Sequence, residues 1–299
     1  MISTPILFLV YNRPNLTKQV FDTIRTAKPD KLYIAADGPK LSSASDKIST
    51  DQVREIVQSV DWECNISTLF SDQNQGCKIA VSNAISWFFK NEEMGIIIED
   101  DCLPDHSFFR YCQELLLMYK DDQRILHIGG TNPLQHPALI HSYYYSKYNR
   151  IWGWATWRRA WKYYDRHITC WPKMKKERIH YNYFDIKEAK YWEKIWDKVY
   201  ADKIDTWDYQ WFLCRLSHGA AIIPSINLIS NIGFGSAATH ASDIQNPLSR
   251  LTTYNLSFPL NHPDYFYYNK SLDKQWSQYL TNSRPFNKIF RRFKHLINS

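Results

Sequence analysis

Gly95-Ile96-Ile97-Ile98-Glu99-Asp100-Asp101-Cys102-Leu103-Pro104 is the stretch on which the reading of this 299-residue chain turns. Its isoleucine run is too apolar to leave one face in water, so it reads as a strand buried on both faces, as in a parallel sheet. The three acids then lie at the carboxyl end of a core strand, where open α/β sheets place their ligands. Adjacent carboxylates repel one another unless a cation or bound protons relieve the charge. A hard divalent metal with oxygen ligands does this, and such a metal commonly holds a diphosphate as well. The competing reading is a solvated acidic turn.

Working outward, the flanking sequence alternates strands and helices. Ile6–Val10, Lys31–Ala36 and Ile66–Phe70 read as further strands. Helical faces appear in Leu16, Val20, Phe21 and Ile24, in Val53, Ile56, Val57 and Val60, and across Gly76–Lys90. This βαβα order predicts a parallel sheet with right-handed crossovers. Polar residues come after each strand at one expected rim of that sheet: Asn12 and Arg13, then Asp37, then Asp72, then the acids.

Beyond Ile125–Ile128, a further strand, the pattern loosens. An aromatic segment from Ile151 to Trp161 comes first, then a charged helical stretch at Tyr183–Tyr200. Asp205-Thr206-Trp207-Asp208 opens another helix. A strand at Ala220–Ile223 and a glycine-bearing loop from Asn231 to His240 complete the half. No linker separates the two parts, so residues 1–128 and 129–280 are read as halves of one domain, with 281–299 as a tail.

The tail accounts for most of the charge. Arg284, Lys288, Arg291, Arg292 and Lys294 stand there without an acid, and subtracting those five from the net +7 leaves +2 for the rest. Phe286, Ile289, Phe290, Phe293, Leu296 and Ile297 share one helical stripe of that tail. A basic amphipathic helix suits an anionic membrane surface, or else the protein's own core. Basic residues do not recur as a patch elsewhere, which argues against nucleic acid. Six cysteines without CxxC or zinc spacing read as free thiols. With no basic n-region at the start and no apolar run near about 18 residues, no signal peptide or membrane span is expected. The expected location is the cytoplasm, with peripheral contact at the inner membrane face through the tail.

A strand ending Glu99-Asp100-Asp101, then Leu103-Pro104-Asp105 and Phe108-Phe109, resembles the DxD-type signature of GT-A nucleotide-sugar glycosyltransferases, especially those similar to N-acetylglucosaminyltransferase I. Asn12-Arg13-Pro14, Trp152-Gly153-Trp154, Trp207-Asp208 and Gly233-Phe234-Gly235 through Thr239-His240 resemble further segments of that family in order. The resemblance implies an α/β GT-A (Rossmann-like) fold, with a mostly parallel central sheet flanked by helices. Residues 1–128 become its nucleotide-sugar-binding half and 129–280 its acceptor half.

The resemblance also implies roles. Asp101 would coordinate Mn2+ (or Mg2+) on the donor diphosphate, with His240 as an added ligand. Asp100 would hold ribose or metal-bound water, and Glu99 the nucleotide-sugar. Arg13 and Asp37 would contact the base and ribose region, and Asp72 and Lys78 the donor. Asp208 matches the general base of inverting members, with Asp205 as substitute. The activity implied is metal-dependent inverting transfer of a hexose, N-acetylglucosamine among the candidates, from a UDP-sugar to a glycan or glycolipid acceptor in bacterial surface polysaccharide synthesis.

Each residue also has a plainer reading. His240 would be a surface histidine, Asp37 a turn former, Lys78 a solvated helix charge and Asp208 an N-cap. The tryptophans near 152–161 would be core, with Trp154 or Trp157 the candidates for an acceptor cleft. Two rival functions stay open. A sugar-nucleotide nucleotidyltransferase would want a glycine-rich basic loop after the first strand, where Tyr11-Asn12-Arg13-Pro14 has no glycine. A non-catalytic carbohydrate-binding protein would keep the fold without the chemistry.

Overall fold

The computed structural model describes residues 2–134, 139–234 and 247–282. The first half has the expected alternation: β1 (Ile6–Val10), α1 (Pro14–Ala27), β2 (Lys31–Ala36), α2 (Ala44–Gln58), β3 (Asn65–Phe70), α3 (Cys77–Asn91) and β4 (Met94–Glu99). Pro14 starts α1 at a position where its missing N–H costs nothing and its fixed φ suits the helix. The chain then runs through β5 (Cys102–Pro104), α4 (His106–Met118), β6 (Ile125–Gly129), β7 (Tyr143–Ser146) and β8 (Trp154–Trp157). Short helices α5 (Arg158–Trp161) and α6 (Trp171–Lys176) come next. After them come α7 (Ile186–Tyr200), α8 (Asp208–Leu216), β9 (Ala220–Pro224), β10 (Ile229–Asn231) and α9 (Lys270–Asn282).

The main sheet has the order β3-β2-β1-β4-β8-β6-β9-β7. Strands β3, β2, β1 and β4 are parallel, β8 lies antiparallel between β4 and β6, and β9 runs parallel to β6 with β7 antiparallel at the edge. The architecture is therefore an α/β fold with a mostly parallel sheet and helices on both faces. Along β1, Ile6, Phe8 and Val10 join the core on one face, while Leu7 and Leu9 join the core on the other. β4 divides in the same way, with Ile96 and Ile98 against Ile97. That two-sided burial is why these strands read as unbroken apolar runs. A third apolar cluster joins α6, α7, α8 and α9 through Trp171, Trp192, Trp196, Phe212 and Trp276.

At the end of β4 the chain turns sharply and leaves the main sheet. β5 pairs instead with β10, Cys102 opposite Asn231, so Asp100 and Asp101 occupy the corner between two sheets.

The later half departs from the sequence reading in several places. β7 and β8 carry no clear strand signal; β8 is a strand because β4 and β6 receive it on either side, which four residues of Trp-Ala-Thr-Trp do not announce. Trp154 and Trp157 are core residues, 0% and 2% exposed, rather than cleft residues. Helix α8 begins at Asp208, so Asp205 lies ahead of it and the two acids do not share a helical face. His240 and the tail from 283 onward lie outside the described residues. Among the described residues, no helix is long and apolar enough to cross a membrane.

Candidate active site

The carboxyl ends of β1, β2 and β4 open into a cavity of about 570 Å3 that brings together Arg13, Asp37, Glu99, Asp100, Asp101 and Asp208, a size ordinary for a small-molecule site. Parallel strands force this grouping: β1 is paired to β2 and β4 with Leu9 opposite Ala35 and Glu99, so the segments leaving these strands emerge at one rim.

Arg13 spans the acid pair. Its Nη1 donates to Asp101 Oδ2 at 2.8 Å and its Nη2 to Asp100 Oδ1, a fork across two carboxylates. Burial works against the guanidinium's charge, but Asp100 and Asp101 outweigh it and hold its pKa up. The physical reason is that side-by-side buried carboxylates need a nearby cation. Asp100, 2% exposed, also accepts the Tyr11 N–H at 3.3 Å. Burial pushes Asp100 up, with Arg13 pulling it back. Glu99 is pushed up by burial first and by Asp101 and Asp100 next.

Asp37 and Asp205 brace the opposite wall. Asp37 accepts from the Gly38 and Gln75 N–H groups at 2.8 and 2.9 Å and from Asn74 Nδ2 at 2.9 Å, so the turn reading and the cavity position both hold for it. Burial pushes its carboxyl up against those bonds. Asp205 caps α3 from 128 residues away, accepting from Cys77 N at 3.0 Å and Lys78 N at 2.9 Å. Gly76 makes this approach possible: with φ +80°, it brings the position of a would-be Cβ to 2.9 Å from Asp205 Oδ2. Asp205 is thus occupied as a helix cap.

Two donor-contact candidates stand apart. Asp72 is exposed and does not border the cavity, while Lys78 pairs with Asp202 instead. Both come after β3, but the chain there bends so that Asn74 and Gln75 face inward in their place. Asp208, first residue of α8, accepts a hydrogen bond from Thr206 Oγ1.

A second cavity of about 200 Å3 adjoins the first, and Ile151, Trp152, Asp208, Tyr209 and Leu248 border both. Asp208 is the carboxylate in that shared wall. Trp152 is one of the aromatics that line both cavities, with Phe234 edge-on at 5.7 Å. Sequence reading also misses Asp46, a buried hub that accepts from Tyr11 Oη (2.7 Å), Asn12 Nδ2 (2.5 Å) and Lys40 N (2.7 Å). Its only signal is Ser43, three residues earlier, whose Oγ accepts from Asp46 N.

The described lining of the first cavity carries six carboxylates (Asp37, Glu99, Asp100, Asp101, Asp205, Asp208) against two basic side chains, Arg13 and Lys40. A diphosphate entering there needs added positive charge. No three His, Cys, Asp or Glu side chains among the described residues converge as a closed metal site. The donor set suits Mg2+ or Mn2+ all the same, because such ions take one or two carboxylates and draw the remaining oxygens from phosphates and water. Asp101 is the candidate ligand. Its peptide oxygen accepts the Ile232 N–H at 2.8 Å, and Gly233 lies so close that a Cβ there would sit 2.4 Å from Asp101 Oδ2.

No protein-family model and no curated protein matches the sequence. Solved structures are similar at low identity. An apo UDP-glucose pyrophosphorylase is 10% identical over 77% of this chain and 93% of its own, with a TM-score of 0.38. A UDP-glucose pyrophosphorylase complexed with UDP-glucose is 12% identical over 54% and 79%, with a TM-score of 0.32. A 4-diphosphocytidyl-2C-methyl-D-erythritol synthase from Anaerococcus prevotii DSM 20548 is 8% identical over 75% and 92%, with a TM-score of 0.36. Superpositions this loose carry no argument about chemistry.

Proposed function

We propose that the chain is a metal-dependent inverting glycosyltransferase that moves a hexose from a UDP-sugar to a glycan or glycolipid acceptor. The observation that carries this reading is the position of Asp208 in the wall common to both cavities. A donor in the larger cavity and an acceptor hydroxyl in the smaller would meet across that carboxylate. Asp208 would take the hydroxyl proton as the acceptor oxygen bonds to the anomeric carbon and the bond from that carbon to the diphosphate oxygen breaks. Thr206, donating to Asp208, would hold the carboxylate's orientation. Asp101 would hold Mn2+ or Mg2+, with His240 as a further candidate, and the ion would act as a Lewis acid on the leaving diphosphate. Arg13 would keep Asp100 and Asp101 in place while the donor enters and leaves. A hexose such as N-acetylglucosamine, synthesis of bacterial surface polysaccharide, and a cytoplasmic site beside the membrane remain part of this proposal, resting on the resemblance.

Sugar-nucleotide synthesis is the second reading, and the similar solved structures include pyrophosphorylases by name. Against it stands the exit of β1, where only Tyr11, Asn12 and Arg13 precede α1, without a glycine whose backbone could wrap a triphosphate. One experiment separates the two. The protein is incubated with manganese and either a panel of UDP-sugars or UTP with sugar 1-phosphates. Slow UDP release supports glycosyl transfer, and pyrophosphate release supports nucleotidyl transfer. Neither release from folded protein would leave carbohydrate binding without catalysis.

A further inference from the structure

The second cavity contains a charge that glycosyl transfer by itself does not require. Arg150 borders it and is only 7% exposed. Its Nη1 reaches the Asn149 carbonyl at a long 3.3 Å, and its buried Nε has no hydrogen-bond partner among the described residues. Asp273, the carboxylate whose field reaches it, is held instead by Ser146 Oγ at 2.5 Å and the Lys147 N–H at 3.1 Å. Burial accordingly pulls the Arg150 pKa down.

Arg13 and Arg215 likewise leave Nε unpaired among the described residues, but their terminal nitrogens are bonded differently from those of Arg150. Arg13 forks across two carboxylates, and Arg215 donates to the Gly219 and Lys147 carbonyls. Arg150 has aromatic faces instead, with its guanidinium carbon 3.8 Å from the Trp276 ring centroid. Cation–π attraction offsets part of the burial, but it uses the face of the guanidinium and adds no in-plane acceptor to the long Asn149 contact. The residue is also held in place from behind: its carbonyl accepts from His127 Nε2 at 2.9 Å, and Trp211 Nε1 fixes the other ring nitrogen at 3.2 Å. A buried cation positioned this firmly, bordering a cavity and bonded to no carboxylate among the described residues, suits an anion.

We propose that the second cavity binds an acceptor sugar carrying an anionic substituent, a carboxylate or a phosphate, with that substituent on the Arg150 guanidinium and the ring against Trp152, Trp192 and Tyr209. This rests on the glycosyl-transfer reading for the word acceptor, but the anion site stands on its own geometry. A neutral sugar would fill the space and leave Arg150 as it is, so the site selects for charge. Asp208, in the same cavity, would repel an anion placed beside it and so favours the charged substituent at the Arg150 end and a hydroxyl at its own.

The test uses the whole protein and three probes: methyl glucuronide, glucose 6-phosphate and neutral methyl glucoside. Each is titrated by calorimetry at constant ionic strength, with and without UDP and manganese. At least one anionic probe should bind about tenfold tighter than the glucoside, as a charge-assisted contact predicts. Which anion wins identifies carboxylate or phosphate as the natural group. Folded R150Q should lose the preference, and R150K should keep part of it. Equal binding of all three probes by the unaltered protein overturns the proposal without any variant. So does a folded R150Q that keeps the preference, or displacement of the anion by UDP, which would place it in the larger cavity. The UDP titration separates the two claims. Binding UDP with no anion preference removes this site and spares the transferase reading, and the reverse result does the opposite.

Discussion

Arg13→Gln removes the guanidinium that lies between Asp100 and Asp101. The three side chains are 17%, 2% and 16% exposed, close to the buried end of the range for ion pairs. At an effective dielectric near 20, unit charges about 4 Å apart attract by about 4 kcal/mol, so the two contacts supply about 8 kcal/mol gross. Stripping water from the guanidinium costs several kcal/mol, which the variant no longer incurs. The net loss expected for breaking such a pair from one side is about 3–5 kcal/mol. The loss should depend on pH. Asp100 already sits above the ordinary carboxylate range because burial outweighs Arg13's pull, and without Arg13 it rises further. Between about pH 4 and that raised value the folded variant holds a proton the unfolded chain has released, so its stability falls as pH rises. Urea melts monitored by tryptophan fluorescence should therefore show a small deficit near pH 4.5 and the full deficit at pH 8. Manganese at a hundredfold excess over its dissociation constant should return about 2.7 kcal/mol. A deficit below about 1 kcal/mol at pH 8, or equal deficits at both pH values, would refute the claim that Arg13 neutralises charged carboxylates.

Asp208→Asn should lower sugar transfer by about 10²–10⁴-fold while UDP affinity and unfolding midpoint hold, because the amide oxygen still accepts from Thr206; normal transfer by the variant would remove Asp208 as the base. Asp205→Ala should do the reverse, costing about 1–2 kcal/mol of stability in a denaturant melt as α3 loses its cap, with turnover kept within about tenfold. His127 is held neutral, its pKa pulled down to about 3 by burial, so the unfolded chain gains a proton below about pH 6.5 that the folded chain refuses. Stability should fall with acid by up to about 1.4 kcal/mol per pH unit from this residue, and a His127→Gln variant should show a shallower slope between pH 6.5 and 4.5. Gly233→Ala brings a Cβ within 2.4 Å of Asp101 Oδ2. Manganese binding measured by calorimetry should weaken by about tenfold or more from the displaced carboxylate, and unchanged affinity would remove Asp101 as the ligand.

Local sequence determined a good deal here. The strands β1 to β4 are legible because their apolar residues run on without a break wherever both faces are buried. Their parallel connection then places Arg13, Asp37 and the Glu99-Asp100-Asp101 triplet at one rim with no knowledge of side-chain contacts. Tertiary structure alone decided where each acid sits. Asp205 and Asp208 are three positions apart and chemically alike, yet one is engaged by the backbone of α3 and the other borders two cavities. It also settled the tryptophans, since a ring that packs in a core and a ring that lines a cleft have the same composition and spacing; Trp152 lines the cleft while Trp154, two residues on, is fully buried. The same limit hides Arg150, whose place in the wall of the second cavity follows from no local pattern. Periodicity records which face of an element is covered, because burial repeats along the chain. Partnership between side chains far apart in sequence leaves no such repeat, and only the folded chain shows it.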